Sequence, residues 1–321
     1  MKWKDIKLGR KFFIAFGAIV LVLGVVAFWS ISGINGIVGD AEEVIDGNKL
    51  RTELEHKYVQ HLHWAQNVNE LITNDEVTEL NAETDHTECA FGKWYFGEGR
   101  KHAEELAPEL APLFAEMEEP HKHLHESAKK IQNTFEQADR SLSSSLREAK
   151  SDHLIFAHRV KDVAVNAVQV NKIEVQKDPT QCSFGKWLYS DKTKQLKKQF
   201  PEFAAICNKI EEPHNKLHHE VITMENHYKA GNTGAGKNHY MSVLKPTTYE
   251  VLDEIDEMIR WNDTKLNSMD QALVIYHNET MTNLEKVGTK FEDIIEQSEN
   301  YIMTDEAMLS EANKTRGGVI I

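Results

Sequence analysis

Cysteine is nearly absent, with Cys89, Cys182 and Cys207 the only three in 321 residues. So few thiols exclude a disulfide framework, and each needs its own explanation. Proline is also scarce, at seven residues, and away from glycines near the N-terminus and between 231 and 236 the chain is mostly Ala, Glu, Lys, Leu and His. That composition favours helix over sheet. Basic charge is in deficit, 37 Lys and Arg against 51 Asp and Glu, for a net −14. Lys2, Lys4, Lys7, Arg10 and Lys11 against Asp5 give the first eleven residues +4, which leaves −18 for the remainder. A surface that acidic excludes nucleic acid as a partner, because phosphate neutralisation needs clustered Lys and Arg. No His-Glu-x-x-His motif and no nucleotide fingerprint occurs. Gly231 to Lys237 spells Gly-x4-Gly-Lys, but Asn238 stands where a phosphate loop has Ser or Thr, and no apolar strand precedes it. This segment reads as a turn between helices.

Long apolar runs are limited to one. The eighteen residues from Phe12 to Trp29 carry no charge, and the next ionisable residue is Asp40. A cleaved signal peptide is the competing reading, but its apolar core is usually about 7–15 residues. We read a membrane helix over residues 12–30, preceded by a basic tail at 1–11. The positive-inside bias then puts Met1 in the cytoplasm of a bacterium and residues beyond about 32 outside its inner membrane.

Set against itself, the chain matches at three points. HLHWAQNV from His61 reads against HLIFAHRV from His153, ECAFGKWYFGEG from Glu88 against QCSFGKWLYSD from Gln181, and EEPHKHLH from Glu118 against EEPHNKLH from Glu211. From first His to Cys the spacing is 28 and 29 residues, and from Cys to the next His it is 32 in both copies. The repeat sorts the sixteen histidines. His61 coincides with His153, His121 with His214, and His125 with His218, whereas His63, His123 and His158 fall opposite Ile155, Lys216 and Gln66 and read as ordinary histidines. Cys207 falls opposite Phe114, an apolar slot, and reads as a core residue.

His121 and His125, like His214 and His218, are four apart in a stretch that Glu-Glu-Pro is expected to open as a helix, so both rings project from one face. The first His of each copy lies on an earlier amphipathic helix. Each Cys precedes a short segment whose Phe91 and Trp94, or Phe184 and Trp187, can pack inward, with Gly92 and Gly185 leaving room for close backbone approach. Three imidazoles and one thiolate are the donor set of a tetrahedral Zn²⁺ site. The metal ligands expected are therefore His61, Cys89, His121 and His125 for one ion and His153, Cys182, His214 and His218 for a second, two zinc ions per chain.

These residues resemble the chemoreceptor zinc-binding domain. The first copy carries its pattern at His61, Trp64, Cys89, Phe91, Gly92, Lys93, Trp94, Pro120, His121 and His125. The second carries it at His153, Cys182, Phe184, Gly185, Lys186, Trp187, Pro213, His214 and His218, with Phe156 where Trp is more usual. The resemblance covers about residues 50 to 222 and implies zinc held by three histidines and a cysteine in a small helical bundle. It also implies a response to zinc or to hypochlorous acid. The family is known as a single cytoplasmic module attached to chemoreceptors and diguanylate cyclases. Here the module is doubled and, by the charge distribution, exported.

The fold expected is all-α. A membrane-anchoring helix is followed by two tandem helical-bundle zinc-binding repeats, over 31–140 and 141–230, a Gly-rich connection at 231–248 and a long coiled-coil-like return helix over 249–313. In that helix Leu252, Ile259, Leu266 and Leu273 form one seam position and Ile255, Met269 and Tyr276 the other, broken by Asn262. The pattern shifts by a stutter and resumes at Leu284, Val287, Phe291, Ile294 and Tyr301. The partner of this helix is expected to be the helix leading out of the membrane span or the same helix of a second chain, the latter giving a homodimer through the long helices. Residues 314–321 read as the start of a second membrane span, as in a methyl-accepting chemotaxis protein, which makes the chain the sensor portion of a longer receptor whose link to the chemotaxis machinery lies further on. The function expected is sensory, with no catalytic residues, because four protein ligands leave no position for an activated water. The competing function is a scaffold whose zinc sites are purely structural.

Overall fold

The computed structural model describes residues 6–166 and 170–320; the first five residues of the basic tail and the final Ile321 lie outside the described residues. Among the described residues every regular element is helical. The first helix, α1, runs from Leu8 to Thr73. It contains one 18-residue window long and apolar enough to cross a membrane, none of it buried within the protein. At 1.5 Å per residue such a window spans ~27 Å, close to the ~30 Å hydrocarbon core of a bilayer. Burial starts further along, where Val44, Gly47, Leu50 and Leu54, and then His61, Trp64, Val68 and Leu71, recur at three- and four-residue steps, with one seven-residue step between the two groups.

The chain forms two compact units. One comprises α1 up to Leu71, residues Glu79–Asn133 and the chain from Val274. Here α1 meets α2 (Ala90–Tyr95), α3 (Glu98–Leu106), α4 (Ala111–Thr134) and α11 (Met281–Tyr301). Phe91, Phe114, Met117, Leu124, Val287, Phe291 and Ile294 fill its interior. Fully burying side chains of this size contributes roughly 1.5–3 kcal/mol each. The other unit, mainly Thr134–Leu273, repeats the plan with α5 (Leu142–Asn166), α6 (Ser183–Leu188), α7 (Asp191–Gln199), α8 (Pro201–Lys229), α9 (Thr233–His239) and α10 (Lys245–Ile275). Phe184, Phe203, Cys207, Ile210, Val221, Met224 and Tyr228 lie in its core. Cys207 thus occupies the apolar slot that the repeat assigns it, and burial pushes its thiol up to about 12.

Three local expectations are corrected. The helices bearing the paired histidines open at Ala111 and Pro201, so Pro120 and Pro213 sit inside them. Each interior proline removes one amide from the helix ladder, but the i, i+4 face it precedes is kept. The return helix begins earlier than 249. Gly231, at φ 74°, turns the chain, and Thr233 already starts α9 behind the Asn232 cap, whose side chain accepts from the Ala235 amide. Residues Tyr240–Leu244 then form a π turn just ahead of Pro246, which has no amide to give to a regular ladder. The return helix also ends earlier than 313. Ile302 adopts extended backbone and is buried, and Thr304 opens α12 (Asp305–Ile320) by accepting from the Ala307 amide. Ile302 packs on Gly47 of α1, where a Cβ would fall 2.6 Å from Ile302 Cγ2. Tyr301 consequently points outward rather than into the seam. The stutter falls where Tyr276–Thr280 form a second π turn. The Asn262 break is a buried polar contact in which its Nδ2 donates to Asp139 O and Ser143 Oγ.

Candidate metal centres

In the first unit α1 presents His61, α4 presents His121 and His125, and Cys89 caps the start of α2. Their four donor atoms lie within 4.8 Å of one another, and so do those of His153, Cys182, His214 and His218 in the second unit. All six histidines are buried and both cysteines are half-buried. All eight residues named from the repeat are therefore brought together, in two groups of four. His63, His123 and His158 are exposed, and the last two face Glu119 and Asp162.

Four of the six rings are oriented by their second nitrogen. His61 Nδ1 donates to Lys57 O at 2.7 Å, one helical turn back, and His153 Nδ1 to Ala149 O at 2.7 Å. His125 Nδ1 donates to Glu83 O and His218 Nδ1 to Gln176 O, both at 2.8 Å. Those bonds fix the tautomer and leave Nε2 of His61, His125, His153 and His218 buried with no hydrogen-bond partner. Nε2 of His121 and His214 approaches the sulfur of Cys89 and Cys182 at 3.3 and 3.4 Å. Unpartnered buried ring nitrogens are costly, and bonding of the opposite nitrogen to a carbonyl is the usual support of a metal-ligating histidine.

The cysteine segments are shaped for the same task. Cys89 Sγ accepts from the Gly92 amide and Cys182 Sγ from the Gly185 amide, each at 3.1 Å. A Cβ on Gly92 would fall 1.9 Å from His86 O, and on Gly185 1.8 Å from Pro179 O, so only glycine fits either position. Ahead of each cysteine an aspartate folds the loop: Asp85 accepts from Thr87 and Asp178 from Thr180, through both backbone amide and hydroxyl. This Asp-x-Thr-x-Cys turn stands in both copies of the repeat, and the sequence reading passed over it. The carbonyls of Glu83 and Gln176 were also missed, since a backbone acceptor has no signature of residue type.

Electrostatics favour a bound cation. Burial, reinforced by the neighbouring imidazoles, pushes His121 down to about 2 and His214 to about 3. Burial also lowers His125 and His218 to about 4 despite their carbonyl bonds, and it lowers His61 and His153. The rings are thus neutral donors at neutral pH. Burial raises the Cys89 and Cys182 thiols, so a divalent cation is what would turn each into a thiolate ligand. Three neutral imidazoles and one thiolate fit Zn²⁺.

Fold and site define a protein of two helical bundles, each enclosing a three-histidine, one-cysteine cluster that fits a metal ion. The sequence model of the chemoreceptor zinc-binding domain matches residues 61–132 and again 153–224. This chain carries two tandem chemoreceptor zinc-binding domains, and all eight clustered residues fall inside the matched segments. No curated protein and no solved structure matches the chain.

Proposed function

We propose that the chain is a membrane-anchored bacterial sensor that binds two zinc ions, one per repeat, and responds to zinc itself or to oxidants acting on the zinc thiolate. The observation that carries it is the pair of four-residue clusters with their unpartnered buried ring nitrogens. Zinc would hold each cysteine as thiolate, the form that oxidants attack. A filled four-ligand shell leaves no position for an activated water, which favours binding over catalysis. The same closed shell favours the second reading, in which both metals are structural.

The test is stoichiometry followed by response. Elemental analysis of purified protein is expected to give two zinc per chain, and Cys89→Ala to give one. A wild-type value near one or zero would sink the two-site reading. Spin-label distances between α1 and α11 are expected to change on zinc removal or oxidant treatment; unchanged distances would leave the metals structural.

The exposed apolar window of α1 supports the anchor, and the basic residues ahead of it favour an orientation with the repeats outside the cytoplasm. A reporter enzyme active only outside the cytoplasm is expected to work when fused after Arg140 and to fail after Arg10. Pairing with a second copy is supported by Ile31, Ile34, Val38 and Ile45 on α1, which stand at seven- and three-residue steps and are each more than half exposed. Val38→Lys with Ile45→Lys is expected to turn a dimer into a monomer in analytical ultracentrifugation.

A further inference from the structure

The two centres share their ligands but not their surroundings. In the second, a cavity of about 360 Å³ is lined by His153, Cys182 and His218, and Phe156, Arg159 and Gln181 form part of its wall. The first repeat has Trp64 at the position of Phe156. Its indole lies against His125 with ring centroids 4.8 Å apart, and its N–H donates to Glu83 O at 2.7 Å, the carbonyl that also accepts from His125. One side chain therefore covers a ligand ring and pins the loop that orients it. Phe156 lies against His218 in the same way, at 4.9 Å, but has no N–H to give, so Gln176 O accepts from His218 with no aromatic donor beside it. The loop of the second repeat is held elsewhere, by the buried carboxylate of Glu225, which accepts from the Ile173 amide at 2.7 Å and pairs with Lys177. That clamp flanks Gln176 and leaves the ligand face beside Phe156 without an indole.

We infer that the second centre is the one open to small molecules, and that its cavity admits a small polar ligand or thiol-directed reagent to Cys182, while Trp64 closes the first. Arg159 and Asp152, with the Gln181 amide, make the wall of that cavity polar and suit it to a small polar molecule rather than a lipid. The two repeats then divide the work, one as a held structural centre and one as the site of exchange or reaction. This inference rests on the zinc reading above.

The test uses the full zinc-loaded chain and brief exposure to iodoacetamide, with the extent of labelling at each cysteine read by peptide mass spectrometry. Zinc content is measured first: a value below two per chain would count against the zinc reading itself. With two zinc ions bound, Cys182 is expected to label about tenfold faster than Cys89, a difference of about 1.4 kcal/mol in barrier. Buried Cys207 is expected to stay unlabelled and so reports that the fold is intact. Phe156→Trp is expected to slow Cys182 alone, and Trp64→Phe to speed Cys89 alone. Two bound zinc ions with equal labelling, with Cys89 the faster, or with a ratio that neither exchange moves, would overturn the inference and leave the zinc reading standing.

Discussion

The buried histidines make stability depend on pH when metal is absent. In the folded protein His121 and His214 stay neutral down to about 2 and about 3, whereas an unfolded imidazole takes a proton below about 6.5. The unfolded chain then binds more protons, so stability rises with pH and is lost as pH falls from about 6.5 toward those lower values, at up to about 1.4 kcal/mol per pH unit for each ring. Urea midpoints of chelator-treated protein are expected to drop between pH 7.5 and 5.5, and His121→Gln with His214→Gln to flatten the slope. A flat wild-type profile would mean that the rings are hydrated. Glycine is as constrained as histidine here. Gly92→Ala is expected to cost the first repeat its zinc and leave the second loaded, because the new methyl meets a backbone carbonyl. The ligands and these glycines were legible in the sequence because two copies keep residue type and spacing together. The orienting carbonyls were not, since any residue can supply them.

Helices were legible as kinds but less so as lengths. Periodicity shows that Leu284, Val287, Phe291 and Ile294 share a face, and all four are buried. It could not show that the helix stops after Tyr301, because the stop depends on Ile302 meeting Gly47, more than 250 residues earlier. A local signal was present in Thr304-Asp305-Glu306, a capping residue followed by acids in the first turn. Thr304→Ala is expected to weaken the start of α12 by about 1 kcal/mol, seen as faster amide exchange at Ala307 and Met308 with protection of α4 unchanged. The glutamate clamp of the second unit is a further element-scale device. Burial alone would raise the Glu225 carboxyl, but bonds from Lys177, Lys229 and the Ile173 amide outweigh it and hold the group down to about 2. Its stabilising effect is therefore present above its ordinary pKa near 4.5 and is lost as pH falls toward 2. Glu225→Gln is expected to destabilise the second unit by about 3 kcal/mol, read as a lower urea midpoint.

The whole chain divides so that each compact unit encloses one centre. Metal that binds only the folded form stabilises the unit that holds it, by an amount set by concentration and affinity. Calorimetry of the zinc-loaded protein is expected to shift on Cys182→Ala in the part of the transition that belongs to the second unit, and on Cys89→Ala in the part that belongs to the first. A single transition moved equally by both would show the units melting together.

No proline occurs before Pro108, and α1 runs without a break from Leu8 to Thr73, so the apolar segment ending at Trp29 and the ligand His61 belong to one rod. The distance between them is ~48 Å at 1.5 Å per residue. On such a rod azimuth is inherited: each inserted residue turns everything beyond it by about 100°. A ligand that twists His61 therefore has no hinge in which to lose the twist, except where Gly33, Gly36 and Gly39 soften the shaft, Gly47 being packed against Ile302. Converting those three to alanine is expected to preserve zinc binding while tightening the mechanical coupling between the histidine cluster and the apolar segment. Spin labels at the two ends of the shaft would register that as a narrower distance distribution.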